Sequence, residues 1–310
     1  MPPFAALVGC WLLNAFWPII GQSGLSRYST TLFFHAGLLL GLLAALPWLL
    51  RDGRWRRVLT ASVGLPLLAM AALSCSASLI YLEALRYTTP ANAAVMAQVE
   101  VLYSAGLSAW LLREAIGPAQ IAASLLVVSG TGLILAHDLG GQGWKGDLMI
   151  LCTPWMYQVS HVIAKRLPKG LDAVLVSGSR NFFGLLLLAP LSAWAVRHGG
   201  RWSWSADSLA VLAAQGLLMN ALALLLWYAA ILRMDLAKAT AFLLSYPALT
   251  MLFSWALGRE SIHPVQVAGL VVTLAGAYWL SRMSMSAQAG GGPKSHPLLG
   301  PDAQAPAQPA

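Results

Sequence analysis

Charge is what this sequence has least of. Its 310 residues include 11 acidic and 19 basic side chains, together 10%, where a typical soluble domain carries about 25%. With 58% hydrophobic residues and a mean hydropathy of +0.68, the chain has too little polar surface to face water. That excludes a soluble globular protein and leaves an integral membrane one. Cysteine is scarce as well. Cys10, Cys75 and Cys152 all lie in apolar runs, odd in number and without metal-ligand spacing. Neither a disulfide framework nor a metal site is expected, and the three read as small buried hydrophobes. No GxxxxGK[ST] phosphate loop occurs, which argues against ATP drive within the chain. The net charge is +8, but no basic patch with interleaved aromatics accompanies it, so nucleic acid is not an expected partner.

What is abundant is long apolar sequence. A bilayer core needs about 20 mostly apolar residues per helix. Ten stretches qualify, at 4–21, 30–50, 59–85, 90–112, 118–137, 146–164, 172–196, 208–232, 236–258 and 264–281. The runs are continuous rather than alternating, which disfavours membrane strands. The expected fold is an all-α integral membrane protein with ten transmembrane helices. The opening MPPFAALVGCWLLNAFW has no basic region and no small-residue cleavage site, so it reads as a first span and not as a removable signal peptide. Residues 285–310 are rich in Gly, Pro and Ala without periodicity and are expected to be a disordered extension.

Lysine and arginine set the orientation. With the N-terminus in the cytoplasm, twelve fall inside, among them Arg51, Arg54, Arg56, Arg57, Lys165, Arg166 and Arg233. Six fall outside: Arg27, Arg86, Lys145, Arg197, Arg201 and Arg259. The bias places both termini in the cytoplasm.

One ten-residue stretch occurs almost twice. REAIGPAQIA (Arg113–Ala122) and RESIHPVQVA (Arg259–Ala268) share six identities at an offset of 146 residues. The same offset pairs Tyr81 with Trp227, Glu100 with Tyr246 and Gly130 with Gly276, while an offset of 144 pairs Trp11 with Trp155 and Asn14 with Gln158. The chain is therefore two five-helix repeats, 4–137 and 146–282. Five is odd, so the second half enters the membrane in the opposite sense, with Arg113 and Glu114 at one face and Arg259 and Glu260 at the other. Such an inverted-topology 5+5 repeat is the hallmark of secondary transporters, whose substrate site lies near the midplane between the halves.

The repeats also carry a family likeness. YLEALRYTTPANAA with WLLREAIGPAQIAASLLVVSG, and WYAAILRMDLAKATAF with WALGRESIHPVQVAGLVVTLAG, resemble the EamA domain. Two such domains in tandem build the ten-helix transporters of the drug/metabolite transporter superfamily. The resemblance covers about 4–282. It implies a multi-pass bacterial inner-membrane exporter of small metabolites or drugs, with a cavity lined mainly by the third, fourth, eighth and ninth helices and the first helix of each half. One departure stands out: the mid-helix proline of the fourth helix in such repeats is present as Pro247 but replaced by Val101 in the first half. A proline-kinked gate is therefore expected to be unequal between the halves.

A charge at mid-span costs on the order of 2.5–3.5 kcal/mol on insertion scales, so intramembrane polar residues are the site candidates. Glu100, at the centre of the fourth span, reads either as a proton-coupling or substrate-amine site or as a neutral carboxyl tying helices together. Arg180 reads as a counter-charge that snorkels to the interface or as an anchor for a substrate carboxylate. Trp11 and Asn14 on the first span, and Trp155 and Gln158 on the sixth, can cup an organic ligand or serve as interfacial belts and interhelical bonds. Asn220 and Tyr246 join this set. Ser74 to Ser78 are expected to act in close helix packing, and His35 to be a satisfied core histidine. Arg113, Glu114, Arg259 and Glu260 are expected to end one helix and start the next, with a lesser claim, shared with Pro247, to gating. Pro118 and Pro264 suit a first helical turn.

The expected partners are a small-molecule substrate, the lipid bilayer and a coupling proton, with the chain acting as a monomer or homodimer and without cofactor. The rival class is a membrane-embedded enzyme or another non-transport membrane protein. An enzyme needs a metal cluster or a catalytic pair inside the membrane. HExxH is absent and the buried ionisable residues are scattered singly, so no enzyme is expected.

Overall fold

A computed structural model describes residues 2–103, 106, 117–138, 143–168, 170–234 and 236–290. Among these, each of the ten expected spans is helical. Helix α1 is Pro3–Leu25 and α2 is Thr30–Leu50, followed by a 3₁₀ run, Arg51–Leu59, and α3, Ala61–Ala84. Helix α4 opens as Pro90–Met96 and tightens to 3₁₀ geometry at Ala97–Val99 before α-helix resumes. Helix α5 is Pro118–Asp138, and α6 comes in two segments, Gly143–Leu151 and Pro154–Lys165. Helix α7 is Ala173–Arg197. Helix α8, Ala206–Ile231, widens into π geometry over Ala214–Ala223. Helix α9 is again two segments, Leu236–Leu243 and Tyr246–Ala256, and α10 is Pro264–Gly290. It thus runs past the boundary at 285 where the tail was expected to begin. Helices α1, α2, α3, α5, α7 and α8 are each long and apolar enough to cross a membrane in one piece.

Local chemistry explains the boundaries. Thr89 accepts from the Asn92 N–H, and Pro90 follows it at a position that has no N–H to lose. Asp172 and Ser205 cap α7 and α8 by accepting from the N–H groups of Leu175 and Ser208. At the far ends of α7 and α9, Gly199 and Gly258 have φ of 71° and 62°. Arg259 N–H reaches Ser254 O at 2.9 Å and Gly200 N–H reaches Ala195 O at 2.8 Å, which closes both helices with a Schellman turn.

The repeated motif does a capping job as well. Gly117 N–H donates to Gln120 Oε1 at 2.9 Å, and His263 N–H donates to Gln266 Oε1 at 2.8 Å. In both halves the motif's proline begins the helix and its glutamine, three residues into it, folds back over the N-terminus. Glu260 acts elsewhere: its Oε1 accepts the Ala91 N–H at 3.1 Å, so it caps α4 of the other half instead of α10. Arg259 is exposed. Arg113 and Glu114 lie outside the described residues.

The two halves are exchanged into one another. Helix α1 packs mainly on α8 and α9, while α6 packs on α3 and α4; α2 packs on α7 and α8, and α7 on α3. The symmetry-related pairs α2–α7, α4–α9 and α5–α10 also touch. The 3₁₀ run after α2, the loop after α6 and the end of α8 share one end of the bundle, where Lys165 Nζ donates to Ile231 O and Met234 O, each at 2.8 Å. The opposite end is tied by Arg201 to Leu25 O and by Thr88 to Asp147 at 2.5 Å.

Helices α5 and α10 cross closely because the repeat places a glycine on each. A Cβ on Gly130 would lie 2.5 Å from Thr273 N, and one on Gly276 would lie 2.7 Å from Ala123 O. Gly132, on the same helix, has open space. Gly130→Ala or Gly276→Ala should destabilise the protein by about 1–3 kcal/mol through overpacking against backbone. Gly132→Ala should leave it unchanged or raise stability by roughly 0.5–1 kcal/mol. Thermal unfolding in detergent distinguishes the two signs.

Candidate functional site: a polar cavity between the halves

The exchange of helices leaves a cavity of about 180 Å³ at its centre. Its wall draws on both halves: Asn14 and Trp17 from α1, Ser74, Ser78 and Tyr81 from α3, Glu100 from α4, Tyr157 and His161 from α6, Arg180 from α7, Asn220, Trp227 and Tyr228 from α8, and Tyr246 from α9. Each interruption of regular helix within the described spans contributes. Ala97 and Gln98 come from the 3₁₀ turn of α4, Thr153 and Pro154 from the gap in α6, Met219 and Ala223 from the π turns of α8, and Leu243 and Leu244 from the gap in α9.

Two charged groups face this space. The Glu100 carboxylate accepts from Gln158 Nε2 at 2.6 Å, and His161 Nδ1 stands 3.9 Å away. About 26% of the Glu100 side chain is exposed, on the cavity side. Gln158 is itself buried, so the pair links α4 of the first half to α6 of the second.

Arg180 does not snorkel. Its residue is 4% exposed. Nε donates to Ser74 Oγ at 3.2 Å, Nη2 to Ser78 Oγ at 3.1 Å, and Nη1 to Asn181 Oδ1 and Asn220 Oδ1 at 3.4 Å each. Its guanidinium lies 5.8 Å from the Phe34 ring centroid. Ser74 and Ser78, expected only to let helices approach, are thus the acceptors of a buried cation. Ser78 also shares a 2.9 Å hydrogen bond with Tyr157 OH.

Aromatic rings form the rest of the wall. Trp17 stacks on Tyr81 with centroids 4.3 Å apart, and His161 tilts against Trp227 at 5.0 Å. These are symmetry mates: Tyr81 matches Trp227 at the 146 offset and Trp17 matches His161 at 144.

Other candidates lie off the cavity wall. Trp11 Nε1 donates to Ser245 Oγ at 3.0 Å and its ring meets Phe242 edge-on, so it braces the break in α9. Trp155 is 44% exposed on the outside of α6. Pro247 sits in the first turn of the second segment of α9, directly after the wall residue Tyr246. Asn14 is on the wall and donates to Cys10 O at 2.9 Å. His35 is not satisfied as expected: its Nδ1 is buried with no partner. Among the described residues no three His, Cys, Asp or Glu side chains gather as a metal site.

Sequence reasoning missed Trp17, Tyr157 and Tyr228, and undervalued Ser74 and Ser78. The repeat alignment held part of the signal, since the offset that pairs Asn14 with Gln158 also pairs Trp17 with His161.

An all-helical, doubled membrane fold with a polar cavity between exchanged halves defines a multi-pass transporter architecture. Comparison with protein families makes this specific. The EamA-like transporter family matches residues 3–136 and again 144–282. The chain belongs to that family, within the drug/metabolite transporter superfamily; it is a membrane transporter and not an enzyme. Comparison with curated proteins finds no match. Among solved structures 28 chains match. One, described only as the crystal structure of a protein, aligns with a TM-score of 0.65 at 19% identity, over 92% of this chain and 98% of that one. At that identity it shows the same fold.

The acceptors around Arg180 should matter to stability. Removing both hydroxyls in Ser74→Ala/Ser78→Ala leaves buried charged donors unmatched, at a cost of about 1–3 kcal/mol. The melting temperature should fall by several degrees, with Ser76→Ala, on an exposed position of the same helix, as the unaffected control.

Proposed function

We propose that this chain is a secondary active exporter of small organic molecules at the bacterial inner membrane, working by alternating access and coupled to protons through Glu100. The observation that carries the reading is a cavity built from both halves, with an ionisable carboxylate on its wall. In an inverted repeat, exchanging the conformations of the two halves moves the opening of a central site from one face of the membrane to the other. A proton on Glu100 neutralises a group held against low-dielectric surroundings; wetting of the cavity favours its release. Gln158 holds the carboxylate through its 2.6 Å hydrogen bond.

The basic end of the bundle, with Arg51, Arg56, Arg57, Lys165, Arg166 and Arg233, is assigned to the cytoplasm by the charge rule. Both termini then lie on that side. The Arg259–Glu260 turn faces outward.

Comparing secreted metabolites of overexpressing and deletion cells identifies the substrate. In proteoliposomes an inward-directed proton gradient should then drive its uphill movement. Glu100→Gln should lose that accumulation while keeping exchange of labelled for unlabelled substrate. A variant as active as the wild type, with the same dependence on the gradient, would overturn the coupling role. Orientation is read with single cysteines at Thr60 and Ser203 in a chain whose native cysteines are replaced. An impermeant thiol reagent added to intact cells should modify position 203 and spare position 60.

A further inference from the structure

Resting on the transporter reading, we propose that Arg180 anchors the negatively charged group of the transported molecule, so that this cavity takes a small organic anion with a flat apolar body. The argument begins with charge balance. Arginine stays protonated at any physiological pH, and a buried cation is normally paired. Among the described residues no carboxylate lies within ion-pair distance of Arg180. Its four partners are neutral oxygens, two of them at 3.4 Å. The acid of the same cavity, Glu100, is engaged by Gln158. A guanidinium serving only to bind helices together would not need to face the cavity; this one lines it. Its planar fork matches a carboxylate with two parallel hydrogen bonds, shorter and stronger than those it now makes.

Size and shape narrow the class. The cavity holds about 180 Å³, slightly more than the roughly 150 Å³ that admits benzene in an engineered protein interior. That fits one ring and a short polar substituent. The Trp17–Tyr81 stack supplies a flat apolar wall.

The position of Arg180 also connects occupancy to movement. Its acceptors Ser74 and Ser78 belong to the first half, Asn181 and Asn220 to the second. An anion competing for the guanidinium withdraws it from these neutral partners and so weakens a direct tie between the halves. Binding and release of the tie are then one event.

A charge series on one ring size tests this on the purified full-length protein. Benzoate, phenylalanine, benzylamine and benzamide are titrated up to about 10 mM, a range that covers millimolar affinities. Thermal shift and tryptophan quenching are the readouts. Benzoate should stabilise and quench, benzylamine and benzamide should not, and Arg180→Gln should weaken benzoate at least about tenfold, which is 1.4 kcal/mol. Arg180→Lys should keep part of the effect, covering the case in which Arg180→Gln does not fold. Phenylalanine divides anion from zwitterion: binding tighter than benzoate, and lost in Glu100→Gln, assigns the amine to Glu100; binding no tighter leaves the anion alone as the requirement. The proposal is overturned if benzamide or benzylamine equals benzoate, if Arg180→Gln binds like the wild type, or if benzoate has no effect. Failure of the transporter reading looks different. Benzoate bound through Arg180 but never moved across proteoliposomes would remove transport and leave the anion site standing. An amine or neutral molecule moved equally by wild type and Arg180→Lys would do the reverse.

Discussion

A backbone N–H or C=O that leaves its helix inside a bilayer has no water to turn to, so irregular backbone survives only where protein or a wetted cavity can receive it. That constraint positions the site. The described spans depart from regular helix in four places: the 3₁₀ turn of α4, the gap in α6, the π turns of α8 and the gap in α9. All four contribute to the same cavity wall. Side chains also bond to backbone carbonyls there. Gln98 Nε2 donates to Ala94 O at 3.1 Å and Thr153 Oγ1 to Ile150 O at 2.9 Å. The unbroken helices α5 and α10 contribute nothing to the wall. They cross each other tightly through glycine instead, acting as the frame.

Within that frame several polar links run between the halves. Gln158 to Glu100 joins α6 to α4, Arg180 joins α7 to α3, and Glu260 on the turn before α10 caps α4. Gln266 Nε2 donates to Asn92 Oδ1 at 2.7 Å beside that cap. Helix α4, carrying Glu100, is therefore held by the second half at its N-terminus and at its centre. Bonds of this kind suit a machine of two states. Each is a discrete donor–acceptor pair that a shift of one half against the other would break, whereas the apolar surface around them is nearly indifferent to small sliding.

Much of the architecture was legible because membrane spans obey a length rule and because two copies of one motif reveal the duplication. The breaks were half legible: Pro154 and Pro247 mark those in α6 and α9, each in the first turn of a new segment. The 3₁₀ turn of α4 has no proline to announce it. Val101 stands where the other half has Pro247, and the matching helices differ there, α4 tightening to a 3₁₀ turn while α9 breaks into two segments. The π turns of α8 lie in AQGLLMNALA, a stretch without proline and with one glycine, Gly216; there α2 packs so close that a Cβ on Gly37 or Gly41 would run into Gln215 or Asn220. Of the site, the ionisable residues were found because burying them is costly. The aromatic wall was not, because rings in an apolar span look the same facing lipid, as Trp155 does, or facing the cavity, as Trp17 does.

Unequal use of equal residues is the more general point. Gln120 and Gln266 do the same local work, each folding over the N-terminus of its own helix, because a helix start needs its amide groups met wherever it lies. Glu260 instead reaches across to α4, and no local rule demands that. Glu100 and Tyr246 occupy matching positions with different chemistry, as do Trp17 and His161. The duplication therefore preserved what any helix junction requires and diverged where the cavity is lined. The frame keeps the repeat's symmetry, while the wall departs from it, with a carboxylate supplied by the first half and a guanidinium by the second.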